Sequence, residues 1–186
     1  MSVKALEDNP RQKLLCVDAK GVKTGRIIDR KTGHTAPGVK HLAIQVLVFT
    51  PESELILHER PLKKVGGGVL DAPTTHVLSH ETPEKAALRC LKDEYGIKGV
   101  KPSVLKGFSY EKDYNDGSCE NEFCLAAFIV FGGRVKANEK HTGAIVVKPA
   151  KDVLEELASS PEHFPVWFRK TAEIVSKNPE GKKFFE

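Results

Sequence analysis

The run His41 to Thr50 (HLAIQVLVFT) constrains this chain more than any other segment. It is rich in Val, Ile and Leu and is apolar at both odd and even positions. Successive side chains of a strand point to opposite faces. A strand apolar on both faces must therefore be buried on both, which predicts a central strand with a layer packed above and below it.

The rest of the chain supplies candidates for those layers. Leu14 to Asp18 reads as a short strand closed by the turn Ala19-Lys20-Gly21. Gly25 to Gly38 is charged, broken by Gly and Pro, and reads as a surface strand and loop. Glu54 to Glu59 is a second strand after a Pro-Glu-Ser turn. Gly66-Gly67-Gly68 permits backbone angles other residues avoid, and Val69 to His76 returns as extended chain. Thr82 to Tyr95 predicts a helix: Thr82 caps it, Pro83 fits its first turn, Gly96 ends it, and Ala87, Leu88 and Leu91 form its buried stripe. Strands follow at Ser103 to Tyr110, Asn121 to Phe131 and Gly143 to Val147, then helices at Lys151 to Ala158 and Pro165 to Ser176. This order predicts an α/β (α+β) fold, a mixed sheet sandwiched by helices, over residues 12–186, with residues 1–11 as a loose arm.

Composition removes several function classes. The 186 residues are enough for a real core. There is no run of eighteen apolar residues and no apolar signal core, so no membrane span is expected and the chain reads as cytoplasmic. The net charge of +4 is small, and basic and acidic residues alternate, which argues against nucleic acid as a partner. Cys16, Cys90, Cys119 and Cys124 form no C-x-x-C pair and read as reduced, mostly buried thiols. Monomer and homodimer both remain open.

Three of the seven histidines matter by position. His34 and His41 flank the loop that enters the central strand, and His76 ends the extended segment before the helix. Glu120 and Glu122 are two apart at a strand start, so their carboxylates share one face. Three imidazoles and two carboxylates suit an octahedral site with one open position; such N/O ligands favour Zn, Mn or Fe over Mg. Spacing alone also allows each histidine to be a surface or core residue, and Glu120 and Glu122 to be an exposed strand start.

The segment Glu81, seven residues, then Arg89-Cys90-Leu91-Lys92-Asp93-Glu94-Tyr95-Gly96-Ile97 resembles a degraded Nudix box, G-x5-E-x7-R-E-U-x-E-E-x-G-U. Thr75 stands for the leading Gly, and Cys90 for the Glu after Arg. That Glu is a metal ligand in Nudix hydrolases, so its loss counts against ordinary pyrophosphohydrolase activity. The likeness extends to VDAKGVKTG, GHTAPGVKHLAIQVLVF, LHERPLKK, YEKDYNDGSCENEF and FPVW. Over residues 14 to 175 the chain is similar to type 1 isopentenyl diphosphate isomerases of the Nudix superfamily.

The resemblance implies a Nudix-type fold, a place in isoprenoid or terpenoid metabolism, and a prenyl diphosphate as small-molecule partner. It implies Mn²⁺ or Zn²⁺ at His34, His41, His76, Glu120 and Glu122, and Mg²⁺ carried by the substrate diphosphate and bound with help from Glu94. Arg30, Arg60 and Lys63 or Lys64 would neutralise the diphosphate; guanidinium forks and ammonium charges suit that task, although a solvated face would need the same residues. Trp167 would hold a cationic centre against its π face, and plain core packing would also explain it. Tyr110 and Glu122 would form one side of the acid–base machinery.

One departure bears on the chemistry. The family's other acid–base group is a Cys two residues before the third metal histidine; here that residue is Thr74. A hydroxyl exchanges protons at neutral pH far less readily than a thiol, whose pKa is about 8.5. The family's Trp-Thr-Asn approach is replaced by Leu70-Asp71-Ala72, and position 90, often basic in the isomerases, is Cys. Four readings follow: an isomerase-like enzyme using Glu122 and Tyr110, a cyclase that protonates a longer prenyl chain, a diphosphate hydrolase, and a non-catalytic binder. Gly66, Gly67 and Leu70, smaller than the aromatic groups the family carries there, predict an enlarged pocket.

Overall fold

The computed structural model describes residue 9 and residues 12–186; the rest of the expected arm lies outside the described residues. The strands are β1 (Lys13–Val17), β2 (Lys23–Asp29), β3 (His41–Phe49), β4 (Glu54–Glu59), β5 (Leu70–Asp71), β6 (Thr74–His76), β7 (Ser103–Asp113), β8 (Cys119–Val130) and β9 (Ile145–Pro149). The helices are α1 (Arg30–His34), α2 (Pro83–Tyr95), α3 (Ala150–Ser159) and α4 (Val166–Lys177).

Every residue of β3 is buried. Its even positions, Leu42, Ile44, Val46 and Val48, pack with Ala86, Ala87, Leu91 and Tyr95 of α2. Its odd positions, Ala43, Leu47 and Phe49, pack with Trp167, Phe168, Ala172 and Val175 of α4. The two-faced apolar pattern thus has the physical cause expected of it: each parity of side chains feeds a separate core. The sheet is mixed. β8 runs parallel to β3 from His41 opposite Glu122 to Phe49 opposite Val130. β1, β4 and β6 pair with β3 antiparallel, and β7 pairs with β8 antiparallel.

Helix α2 has the expected caps. Thr82 accepts a hydrogen bond from the Lys85 N–H, Pro83 opens the first turn, and Gly96 closes the helix at φ 70°. The left-handed angle suits glycine because it carries no Cβ. Burying Leu91 fully is worth roughly 1.5–3 kcal/mol. Leu88, expected on the buried stripe, is instead exposed. The buried arc runs through Ala86, Ala87, Cys90, Leu91, Glu94 and Tyr95, and at 3.6 residues per turn position 88 falls beyond its edge.

Two segments differ from their expected form. Gly25 to Gly38 predicted a strand and a loop; β2 supplies the strand, and one helical turn, α1, stands in the loop, capped by Asp29 accepting from the Thr32 N–H at 2.8 Å. Val69 to His76 is split at Ala72-Pro73, since proline offers no ladder donor. β5 pairs with β4, and β6 crosses over to β3. That crossover is what brings Thr74 and His76 beside the central strand. Among the described residues no helix is long and apolar enough to cross a membrane.

Candidate metal centre and cavity

His34 ends α1, His41 opens β3, His76 closes β6, and Glu122 lies in β8. The sheet register brings them together: His41 pairs with Glu122, and His76 pairs with Ala43 two residues along β3. The three imidazole centroids are 4.8, 4.9 and 5.0 Å apart. One ligand atom from each of His34, His41, His76 and Glu122 lies within 4.8 Å of the others, the spacing of four donors that could hold a metal ion. Gly33 leaves room for this approach: a Cβ there would sit a tight 3.2 Å from the His41 ring.

The outer nitrogens support the same arrangement. His41 Nδ1 is 2.8 Å from the Val39 carbonyl, His34 Nδ1 is 3.0 Å from the Cys119 carbonyl, and His76 Nδ1 is 3.4 Å from Gln12 Oε1. An Nδ1–H donated to the carbonyls by His41 and His34 leaves their Nε2 lone pairs pointing inward, the usual way proteins orient a metal-binding imidazole; His76 Nδ1 has a nearer partner, Arg30 Nη1 at 3.2 Å, which donates to it. His41 Nε2 is buried without a hydrogen-bond partner, 3.4 Å from Glu122 Oε1. His34 Nε2 and His76 Nε2 are 2.9 Å apart, and His76 Nε2 is 3.3 Å from Glu122 Oε1. Acceptors facing one another out of water need positive charge among them. Burial and the nearby Arg30 cation hold His76 well below the ordinary histidine range, and so neutral. Burial alone would raise the Glu122 carboxyl, but the His41 and His76 rings, with Nε2 atoms 3.4 and 3.3 Å from Oε1, hold it well below the carboxylate range. This donor set fits a divalent metal.

Glu120 is not drawn into the four-residue group. Its carboxylate lies on the outer side of His34, 3.2 Å from Nδ1. Tyr110 donates a hydrogen bond to the other oxygen of Glu122, Oε2, at 2.6 Å. Burial and the carboxylate together push the Tyr110 hydroxyl well above its ordinary range, so it keeps its proton.

These residues open on a cavity of about 280 Å³. Arg30, Arg60, Lys64, Thr74, Glu94 and Trp167 line it; Lys63 is exposed and does not. Glu94 is buried, its Oε2 has no hydrogen-bond partner, and burial raises its carboxyl to about 8 despite Lys64 3.8 Å away. A buried carboxyl with one oxygen free of hydrogen bonds at the wall of a basic cavity suits a second cation. The Thr74 hydroxyl donates to the Ile44 carbonyl at 3.4 Å. Arg60 is largely committed: Nε donates to the Val65 carbonyl at 2.9 Å and Nη1 to Asp71 Oδ2 at 3.1 Å, while its guanidinium carbon lies 4.9 Å from the centroid of the Trp167 ring.

The glycines do not enlarge the cavity. A Cβ on Gly66 would come 3.1 Å from Tyr114 Oη and 3.4 Å from Trp167, and one on Gly67 would meet the Pro61 carbonyl at 2.3 Å. Their lack of side chains is taken up by close packing of the loop over Trp167. Sequence reasoning also missed Asn9, which enters the cavity wall from the region read as a loose arm, and Gln12 just beyond it. It missed His141 and Arg89 there too. Arg89 has a second task, gripping both oxygens of Glu81 at 2.7 and 2.9 Å and the His76 carbonyl at 2.8 Å. An arginine eight residues beyond a glutamate was the available signal for that grip.

Comparison with known proteins agrees with this geometry. The chain is 24% identical to an isopentenyl-diphosphate Delta-isomerase of Pectobacterium atrosepticum, over 87% of this chain and 90% of the relative. It is 27% identical to the Photobacterium profundum isomerase, over 88% and 94%. These are distant relatives over most of the chain. A MutT protein from Methanosarcina mazei superposes with a TM-score of 0.59 at 17% identity, covering 72% of this chain and 91% of that one. A Deinococcus radiodurans protein gives 0.64 at 14%, covering 87% and 97%. Both share the fold. The NUDIX domain model matches residues 39–171, and the chain belongs to the NUDIX domain family.

Proposed function

We propose that this chain is a metal-dependent enzyme of isoprenoid chemistry that moves a proton at the double bond of a short prenyl diphosphate. The observation that carries the reading is the shared carboxylate of Glu122. One oxygen faces the imidazoles of His41 and His76, and the other accepts from the Tyr110 hydroxyl at 2.6 Å. Mn²⁺ or Zn²⁺ held by His34, His41, His76 and Glu122, with Glu120 beside them, would supply Lewis-acid charge that sharpens the acidity of neighbouring groups.

The protein's own groups do the rest. The Tyr110 hydroxyl can give its proton to the terminal alkene carbon while Glu122 takes one from the allylic carbon, and transfer from Glu122 back to Tyr110 along their 2.6 Å hydrogen bond resets the pair. Arg30 and Lys64, with the free edge of Arg60, offset the diphosphate charge. Glu94 has the free oxygen to bind a Mg²⁺ ion carried by that diphosphate. Trp167 closes the cavity with an aromatic surface for the alkyl part. Thr74 stands where a thiol would serve as the second proton-transfer group, so this chain relies on the Tyr110–Glu122 side. The cavity of about 280 Å³ lies at the small end of ligand sites, which favours a five-carbon substrate over the longer chain a cyclase would fold.

The test is a screen of the metal-loaded chain against isopentenyl, geranyl and farnesyl diphosphates. Formation of dimethylallyl diphosphate is the expected outcome. Cyclised products from the longer substrates would transfer the reading to a cyclase, and release of phosphate or pyrophosphate to a hydrolase. Binding without turnover would make the chain a carrier of prenyl diphosphates.

A further inference from the structure

Behind the cavity wall lies a carboxylate that the proton-transfer reading does not use. Asp71, at the end of β5, is fully buried. Four donors converge on it: Gln45 Nε2 at 2.7 Å, the Ala72 N–H at 2.8 Å, Arg60 Nη1 at 3.1 Å, and Trp167 Nε1 at 3.2 Å from each carboxylate oxygen. Burial raises the acid's pKa and the Arg60 guanidinium opposes that rise; with only donors around it, the group is an ionised acceptor.

Two partners of this carboxylate, Arg60 and Trp167, face the cavity. Trp167 lines it, its ring 5.8 Å from that of Tyr110 and 4.9 Å from the Arg60 guanidinium carbon. A purely structural tryptophan needs only apolar neighbours and one acceptor. Here the indole N–H points between both oxygens of an anion, which draws the N–H dipole toward Asp71 and leaves more electron density on the ring face. The same anion offsets the positive charge of Arg60, which would otherwise repel any cation at that face.

We infer that Asp71 is a positioning residue: it locks the indole of Trp167 and the guanidinium of Arg60 into one unit and tunes the ring to hold a cationic carbon generated in the cavity. This rests on the proposed function, because only alkene protonation creates such a centre. Arg60 is thereby mainly a partner of Asp71 and only secondarily a diphosphate contact.

The test compares two ligands on the metal-loaded chain by calorimetry: a five-carbon alkyl diphosphate bearing a tertiary ammonium at the reacting position, and its neutral carbon isostere. The native chain is expected to prefer the ammonium form by at least about tenfold, the scale of a desolvated cation–π contact. Asp71→Asn, which keeps an acceptor for the indole but not the charge, should cut that preference about tenfold while leaving the isostere's affinity within about threefold. Trp167→Phe keeps a ring without the N–H. It should lose most of the preference by itself, and in that background Asp71→Asn should have little further effect. If Asp71→Asn does not fold, Trp167→Phe alone decides, and an unchanged preference in it overturns the inference. An equal loss for both ligands in Asp71→Asn, or an undiminished effect of Asp71→Asn without the indole, also overturns it and marks Asp71 as merely structural. If the native chain binds both ligands equally, the role of Asp71 falls while the diphosphate reading stands. If it binds neither, both fall.

Discussion

The Tyr110 hydroxyl donates to Glu122 Oε2 at 2.6 Å, while Glu122 Oε1 faces His41 and His76. One carboxylate therefore couples a proton donor to the candidate metal centre. Tyr110→Phe removes the proton and keeps the ring packed against Trp167. It should lower kcat for double-bond isomerisation by about 10²–10⁴-fold, the usual share of a general acid–base group. KM and bound metal should change little; kinetics paired with elemental analysis of the purified variant checks both. A full loss of metal would mean that Tyr110 holds Glu122 in place rather than moving a proton.

Metal removal should reach stability as well as activity. The inward-facing acceptors of His34, His41, His76 and Glu122 are costly without positive charge among them. A metal at about 100 times its dissociation constant stabilises the folded state by about 2.7 kcal/mol, which for a chain of this size is a Tm shift of roughly 5–10 °C. Differential scanning fluorimetry with and without a chelator should show that drop. His41→Ala should abolish the response to Mn²⁺ or Zn²⁺, since it deletes an imidazole whose Nε2 is buried without a hydrogen-bond partner.

Position 74 gives a gain-of-function test. Thr74 lines the cavity beside His76, and its hydroxyl makes one long bond to the Ile44 carbonyl at 3.4 Å. Thr74→Cys costs little there and installs a group that exchanges protons near neutrality. Isopentenyl diphosphate isomerisation should rise at least about tenfold, in kcat rather than KM. An unchanged rate in a folded, metal-loaded variant would show that proton transfer does not pass position 74.

Acid stability should report on His58, away from the metal centre. Burial holds its pKa down at about 3, against an ordinary value of 6.5, and its Nδ1 lies 3.0 Å from the Tyr95 hydroxyl. The unfolded chain takes up this proton below pH 6.5, and the folded chain does so only near 3. Stability is thus fully present above 6.5 and is lost as pH falls toward 3, with a slope of up to about 1.4 kcal/mol per pH unit from this group. Urea melts across that window should show the slope, and His58→Gln should flatten it whatever it does to stability at neutral pH.

What could be read from the sequence followed from short-range rules and spacing. The two-faced pattern of β3, the Thr82 cap and the Gly96 stop are decided within a few residues, and each has its expected form. The convergence of His34, His41, His76 and Glu122 was readable because likeness to a family supplied the long-range pairing. Asp71 was not readable, since its meaning depends on Arg60 and Trp167, which only folding brings to it. Gln12 escaped for the same reason: its partner, His76, lies across the fold. The glycines were misread because an absent side chain looks like open space in a sequence, whereas in the fold the neighbouring backbone has filled it. Leu88 was misplaced by assigning a stripe from composition rather than from the angle each residue occupies.

The parallel register of β3 and β8, which sets His41 against Glu122, also gives the centre a place in the order of folding. The strands that carry these two residues are joined by most of the remaining sheet and by helix α2, and parallel pairings of such distant segments form late. A chain that had closed only its local hairpins would have its histidines but not its carboxylate. Metal uptake during refolding should then trail hairpin formation and mark the moment at which the last long-range strand locks in. The ion would serve, during biogenesis, as a seal on a completed fold.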